Sequence, residues 1–407
     1  MAQGDVEKSL AEWFYGKMSA TIPYERELFR GGPPFWLQKW LHLITPGDPK
    51  IARRAIVVVL FGWVPLLVLA VAQGLAWHGG TEGSFLLDFA VHARSLVVAP
   101  LLIMAESLCI PRLGPIARHF LQAGLVAEGD QDRFDKAVTS TRRLLHSPSA
   151  ELMSVTVAFG LVAILNLQFP HEEFLVWQRP GNGQALSLAG WWHLAVSVPW
   201  LLVLFMGWLW RIVLWGRFMW LMSRLDLQLI ASHPDRAGGL KFVGTSIPVY
   251  APLGLALGTL VAGGVANRVV HEGASLRDFG FLVAGLVVFV LFLFVGPLLV
   301  FFRNLRQLKV RGTFEYGALA EEVGSEFERK WLNRADGINE SALEVPDFSA
   351  TTDLYQIVSN VHELSEVPFD LKHLRSLIIA VLLPFVPVAM AAVPLKTILE
   401  TVAKLLL

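Results

Sequence analysis

The chain has 407 residues, of which 54% are hydrophobic and only 17% are charged. This composition excludes an ordinary soluble domain and indicates a membrane protein. The formal net charge is zero, so no overall positive field attracts nucleic acid, and nucleic acid is not expected as a partner. The single cysteine, Cys109, excludes an intrachain disulfide.

Long apolar runs predict membrane-spanning helices, because about 20 helical residues cross a hydrocarbon core of about 30 Å. Six runs are clear, and a seventh is shorter and broken by Pro384 and Pro387, so it either spans or re-enters, with spanning favoured. We predict an all-α, polytopic helical membrane bundle of six or seven transmembrane helices with amphipathic cytoplasmic helices. The runs lie near residues 54–77, 86–110, 150–169, 189–211, 245–267, 279–302 and 377–393.

Lysine and arginine collect in alternate connections between these runs, and this bias sets the orientation of a membrane protein. The leader and the segments after the second and fourth runs are basic, whereas the connection at 78–84 has neither residue. The N-terminus is therefore predicted to be cytoplasmic. The chain divides into an N-terminal cytoplasmic or interfacial segment 1–53, a six-helix region 54–302 with cytoplasmic helices at about 112–149, a cytoplasmic helical segment 303–375, and the seventh membrane segment with an amphipathic tail at 376–407.

Three stretches in the second half carry a family resemblance. They read RLDLQLIASHPDRAGGLKFVG at 224–244, EYGALAEEVGSEFERKW at 315–331 and DFSATTDLYQIVSNVHELSEVPF at 347–369. Together they resemble a group of uncharacterised bacterial integral membrane proteins, which share a His-Pro-Asp-x-x-Gly-Gly-Leu turn after the fourth span and end in a proline-broken apolar segment. The resemblance implies this topology and a bacterial inner (cytoplasmic) membrane, and it implies no reaction.

The second run carries ionisable side chains that lipid penalises. Four polar residues fall within about 60° of one another around a regular helix, so this polar stripe should face the bundle interior. A buried carboxylate near a histidine suits a proton or cation relay, with Arg94 pointing away as a counter-charge. The polar stripe consists of Asp88, His92, Ser95 and Glu106.

A structural interpretation of the polar stripe stays open. Asp88 lies near the outer interface, where it can cap the helix start. His92 can bind a backbone carbonyl. Glu106 can pair with Arg211 or Arg112 at the inner interface.

The sequence HPDRAGGL at 233–240 is typical of a tight turn. Its two glycines admit positive φ and expose amides that suit an anion or a lipid headgroup. The alternative is a purely structural turn between the fourth and fifth spans. The residues of this candidate headgroup turn are His233, Asp235, Arg236, Gly238 and Gly239.

Three histidines are predicted in short outer connections beside glutamates, where they are weak candidates for zinc or copper ligands. No pair has the spacing of a known metal motif, and histidine with tryptophan is also typical of a membrane interface. No cofactor is predicted. The three are His171, His193 and His271.

These observations favour a transporter, channel or proton-linked permeation protein that carries protons or small ions along Asp88, His92, Ser95 and Glu106. The alternative is a non-transporting scaffold or sensor that binds a partner through its cytoplasmic helices. An enzyme is less expected, because no nucleophile is paired with a base. The absence of a clear inverted repeat weakens the case for a standard secondary transporter. A homo-oligomer and a cytoplasmic protein partner both stay open beside the lipid bilayer itself.

Overall fold

The computed structural model describes residues 28–29, 31–34, 38–39, 50–77, 83–168, 175–180, 185–332 and 346–392. Within these ranges the protein is built from helices and turns, with no strand beyond an isolated antiparallel bridge between Val126 and Leu227. The prediction of an all-α bundle is confirmed. The leader, apart from its few described residues, and the amphipathic tail lie outside these ranges, as does His171.

Six helical stretches of the described chain are long and apolar enough to cross a bilayer, which confirms the predicted minimum. A seventh candidate consists of two helices bent by 49° at a short break around Pro384. A proline that interrupts an apolar helix explains this bend, because it removes a backbone hydrogen bond. The six spans are Ile51–Ala72, Phe89–Gln122, Pro148–Gln168, Leu188–Ser223, Lys241–His271 and Leu276–Trp331; the bent pair is Leu371–Leu382 and Phe385–Ala392.

Several spans are interrupted rather than continuous. The first is interrupted at Trp63, and the second and fourth each contain a π-helical segment. The helices are Ile51–Gly62, Val64–Ala72, Phe89–His92, Ala99–Gln122, Gln131–Leu145, Pro148–Gln168, Leu188–Trp192, Val198–Ser223, Ser246–Val249, Ala251–His271, Gly280–Val295, Phe302–Trp331, Asp347–His362, Leu371–Leu382 and Phe385–Ala392; the π segments are Ala93–Val98 and His193–Ser197; short 3₁₀ turns are Phe85–Leu87, Glu128–Asp130, Lys241–Thr245, Leu276–Phe279 and Gly296–Phe301.

The second and fourth spans lie at the centre of the bundle. The first span packs against both of them, the third packs against the fourth, and the fifth packs against the second and against the bent pair. Their shared core contains large buried aromatic side chains, among them Trp215, Phe218 and Phe301. The sixth span instead exposes Phe281 and Phe292 to its surroundings, as a lipid-facing helix does.

The fifth span approaches the bent pair closely because its contact face carries glycine. A Cβ atom at Gly254 would lie 2.9 Å from Leu377, and one at Gly258 would collide with the carbonyl group of Val381. Small residues allow two helix backbones to meet in this way within a membrane. The two glycines therefore allow the bent pair to pack directly against the fifth span.

We call the end of the bundle where the first span begins, at Ile51, the basic end. There, the segments after the second and fourth spans are joined by Asp130, which accepts hydrogen bonds from Arg133 at 2.9 Å and from the amide of Asp226 at 2.8 Å. The amide of Asp226 and the guanidinium of Arg133 hold the pKa of Asp130 below its ordinary value. Beyond this end, the continuation of the sixth span packs against the helix Asp347–His362.

Candidate functional site

Asp88 is a buried structural junction. Its side chain is 2% exposed and accepts hydrogen bonds from the amide of Val91 at 3.0 Å, from Trp177 Nε1 at 3.0 Å and from Asn267 Nδ2 at 2.8 Å. Asn267 also accepts from the amide of Phe89 at 2.7 Å. The carboxylate thus caps the second span and ties it to the fifth span and to the connection before the fourth. This is the role that the structural interpretation gave it.

His92 is held by two hydrogen bonds at the same end of the bundle. Trp63 Nε1 lies 2.9 Å from His92 Nδ1, and His92 Nε2 lies 3.2 Å from the carbonyl oxygen of Leu86. An indole nitrogen only donates, so Nδ1 accepts, and Nε2 carries the proton and donates to the carbonyl. Both ring nitrogens are therefore satisfied in the neutral form. In this network the ring joins the first and second spans.

Glu106 binds two arginines at the basic end. Its carboxylate lies 2.7 Å from Arg54 Nη1 and 3.0 Å from Arg211 Nη2. Both arginine side chains are almost fully buried, at 2% and 4% exposed. The pairing with Arg211 follows the structural interpretation of the sequence, whereas Arg112 is not one of its ion-pair partners in the described chain. We call Arg54, Glu106 and Arg211 the inner triad.

The second span is π-helical rather than α-helical over Ala93–Val98, close to its start. A π segment winds more widely than an α-helix, so the regular spacing assumed for the polar stripe does not hold across it. Arg94, expected to point away, lines the same cavity as Ser95. Glu106 lies twelve residues further along, about 18 Å at 1.5 Å per residue, in the inner triad. The polar stripe is thus divided into three levels along the bundle: Asp88 with His92, then Arg94 with Ser95, then Glu106.

The fourth span repeats the arrangement of the second. Asp88 and Ser187 each cap a short helix, and each helix runs directly into a π segment. Arg94 precedes Pro100 by six residues, and His193 precedes Pro199 by six. The repeat brings Arg94 and His193 to one cavity at the middle level of the bundle. π-Bulges of this kind occur frequently at functional sites.

The cavity between these π segments, here called the Arg94 cavity, is small and lined by polar groups. Its volume is about 20 Å³, which is room for roughly one water-sized group. Among the described residues its lining contains no carboxylate; apolar side chains line it together with Arg94, Ser95, His193, Ser197 and Trp200.

Two nitrogen atoms of residues that line the Arg94 cavity have no hydrogen-bond partner among the described residues. His193 is 5% exposed, and its Nδ1 atom has no hydrogen-bond partner among the described residues; the same holds for Trp200 Nε1. Within the described chain, the side chain of Arg94 makes one hydrogen bond, from Nε to the carbonyl oxygen of Ala90 at 3.1 Å. Buried polar groups are normally satisfied, so these two unpartnered nitrogens mark the cavity as a place where a ligand can form hydrogen bonds.

An apolar cleft, here called the lateral cleft, adjoins the Arg94 cavity between the first and fourth spans. Its volume is about 380 Å³. Val58, Gly62, Ser197 and Trp200 line both spaces, so the cleft ends at the polar groups. Its remaining lining residues are Val57, Phe61 and Val196.

The candidate headgroup turn is filled by its own carboxylate. Asp235 accepts hydrogen bonds from the amides of Ala237 at 2.8 Å, Gly239 at 3.1 Å and Lys241 at 3.1 Å, and its carboxylate lies 2.7 Å from His233 Nδ1. Burial raises the pKa of Asp235, but these hydrogen bonds together lower it by more. The pKa of Asp235 therefore lies below its ordinary value. The amides that suited an anion are therefore already engaged.

The rest of this turn joins distant parts of the chain. Arg236 adopts φ 55° and pairs with Glu363 at 2.6 Å, and Lys241 pairs with Asp370 at 2.8 Å. Gly238 has φ 63°, and a Cβ atom there would lie 2.5 Å from Leu308. These contacts fit the structural alternative, in which the turn fastens the fourth and fifth spans to the helices beyond the basic end.

The histidines proposed as weak metal candidates do not form a cluster in the described chain. His193 lies inside the fourth span rather than in an outer connection, because the π segment begins at this residue. His271 stacks on Phe89, and its Nε2 atom lies 2.8 Å from the carbonyl oxygen of Leu87. No group of three or more metal-ligating side chains occurs among the described residues.

Sequence reasoning missed three important side chains. Arg54 appeared only as part of a basic leader, and Ser197 and Trp200 only as part of an apolar run. The shared spacing of Arg94 to Pro100 and of His193 to Pro199 was a usable signal, because it repeats in the same direction along the chain. A search for an inverted repeat does not detect it.

Comparisons with protein-family models, with curated proteins and with solved structures found no match to this chain. The fold and the buried polar groups nevertheless define a class. The protein is a polytopic α-helical membrane protein, and its described residues include six helices able to span a bilayer and a seventh candidate bent at its centre.

Proposed function

We propose that the protein is a permeation protein, a transporter or channel, and that the Arg94 cavity is its ligand site. The observation that carries the proposal is the meeting of Arg94 and His193, from two π-bulged spans, around a cavity without a carboxylate. A guanidinium inside the membrane is costly unless something compensates its charge. Asp88 acts on Arg94 through space but forms no ion pair with it among the described residues, so an anion bound at Arg94 would supply the direct contact.

The two other polar levels support this choice of site. Asp88 and His92 are saturated by hydrogen bonds, and Glu106 is neutralised by two arginines. A passing ion would have to break these contacts. Donors without a partner in the described chain also remain on Arg54 and Arg211, but at that level a carboxylate is already bound. The lining of the Arg94 cavity among the described residues holds no carboxylate, so we replace the cation relay of the sequence hypothesis with an anion site.

Location and orientation belong to the same proposal. We place the protein in a bacterial inner membrane with its N-terminus in the cytoplasm, so that the basic end faces the cytosol. The support is the concentration of Lys and Arg in the connections at that end and the family resemblance of the second half. Small anions are then the expected cargo, with protons as a coupled ion.

The experiment is anion flux from liposomes that contain the purified protein. Chloride efflux and proton uptake are measured for the wild type, for Arg94→Gln and for the control Arg268→Gln, which alters an exposed arginine near the far end of the fifth span. We expect chloride flux that falls at least about tenfold in Arg94→Gln and stays unchanged in the control, since a charge-assisted hydrogen bond is lost. Wild-type flux equal to that of empty liposomes, or equal flux in Arg94→Gln, would overturn the proposal.

The alternative of a scaffold or sensor has one supporting observation. The continuation of the sixth span exposes Val310 and Phe314, the latter at 75%, on a helix beyond the basic end. Exposed apolar side chains of this size suit a protein partner. Folded wild-type protein that conducts neither chloride nor protons would favour this alternative.

A further inference from the structure

The lateral cleft adjoins the Arg94 cavity at the side of the bundle, because the two spaces share four lining residues. Phe61, at its mouth, is 61% exposed on the face of the first span that lipid would cover. From there the apolar lining leads inwards to Gly62 and Trp200, which border the polar cavity as well. A ligand that uses both spaces therefore has an apolar part in the cleft and a polar tip at Arg94.

We infer that this ligand is a single-chain amphipathic carboxylate that enters laterally from the lipid. The inference rests on the proposed function, because it takes the Arg94 cavity as the ligand site. The cleft volume of about 380 Å³ falls in the range of about 300–1,000 Å³ that is typical of small-molecule pockets. Its lining is almost wholly apolar, which suits an acyl chain and excludes a hydrophilic solute.

The size and chemistry of the polar cavity select the headgroup. A volume of about 20 Å³ admits the tip of a carboxylate but excludes the headgroup of a two-chain phospholipid. The guanidinium of Arg94 can receive a carboxylate through two parallel hydrogen bonds. Trp200 Nε1 is a neutral donor without a partner in the described chain, so one further oxygen contact is available without a second positive charge.

Gly62 offers a way to close the cleft without touching Arg94. A Cβ atom at Gly62 would meet no atom within 4 Å, so leucine there should extend into the space that the ligand chain occupies. Gly160, in the third span, is equally unobstructed and is exposed. Gly160→Leu is therefore the matched control for Gly62→Leu.

The test is quenching of tryptophan fluorescence by 9,10-dibromostearate in vesicles, with its methyl ester as the uncharged probe. Trp200→Phe isolates the contribution of Trp200, and measurements at about pH 9 keep the carboxylate ionised. We expect the acid, but not the ester, to quench Trp200 saturably. The apparent affinity should fall by about tenfold or more in Arg94→Gln. Binding should be lost in Gly62→Leu and kept in Gly160→Leu.

The outcomes separate this inference from the proposed function. Equal quenching of Trp200 by the acid and the ester, or unchanged affinity in Arg94→Gln, would refute the inference. If chloride flux still depends on Arg94 in that case, the proposed function survives. Saturable binding of the acid in a protein that conducts no anion would support the ligand site and overturn permeation.

Discussion

Replacing Glu106 by glutamine tests whether the inner triad stabilises the bundle. The change leaves Arg54 and Arg211, which are 2% and 4% exposed, as two buried cations without a carboxylate. Removing one partner of a buried ion pair typically costs about 3–5 kcal/mol, because the remaining charge stays desolvated. At roughly 2 °C per kcal/mol for a chain of this size, the unfolding midpoint should fall by about 6–10 °C.

The assay is thermal unfolding of the purified protein in detergent, followed by tryptophan fluorescence. Glu321→Gln makes the same chemical change on an exposed helix and should alter stability by less than about 0.5 kcal/mol. Adding Arg54→Met to Glu106→Gln should restore part of the loss, because one uncompensated charge is removed. A Glu106→Gln midpoint within about 2 °C of the wild type, with no effect of Arg54→Met, would refute a stabilising triad.

Three further changes test other parts of the fold. Asp88→Asn should lower stability by about 1–3 kcal/mol, because the new amide group faces hydrogen-bond donors; unchanged thermal unfolding would contradict this. Asp235 has a lowered pKa in the folded protein, so its contribution is present above about pH 4 and is lost as the pH falls through the folded pKa. Asp235→Asn should therefore weaken the acid dependence of unfolding, and an unaltered pH profile would count against it. Gly258→Leu should detach the bent pair and increase its proteolysis, whereas Gly264→Leu, which meets no atom within 4 Å, should not; equal cleavage would argue against the close contact.

The sequence was sufficient for the membrane class because the signal is long and redundant. Each span contributes about 20 apolar residues, so an error of a few residues at either end does not change the count. The second span, predicted to end near 110, continues to Gln122 despite Pro111 and Pro115. Membrane helices tolerate proline where neighbouring groups satisfy the freed backbone carbonyls, and single-sequence patterns do not contain that information.

The candidate site was harder to predict because it depends on a local change in helix type. The polar stripe assumed 100° per residue throughout the second span, and the π segment at Ala93–Val98 breaks that assumption. His193 looked like an interfacial residue because tryptophans precede it. His193 is buried because the fourth span repeats the short helix and π segment of the second span. Such a repeat relates distant parts of the chain, so a local sequence pattern does not reveal it.

The distribution of compensated charge across the bundle gives the strongest reason to place a ligand at Arg94. A membrane protein has to compensate each buried ionisable group, since lipid does not solvate it. At the far end Asp88 receives three hydrogen bonds, and at the basic end Glu106 lies between two arginines. At the middle level Arg94 meets no carboxylate in its cavity, and His193 and Trp200 keep unpartnered nitrogens within the described chain. An anionic ligand would give Arg94 the direct ion pair that Glu106 already gives to Arg54 and Arg211, and it would give Trp200 Nε1 a hydrogen-bond acceptor.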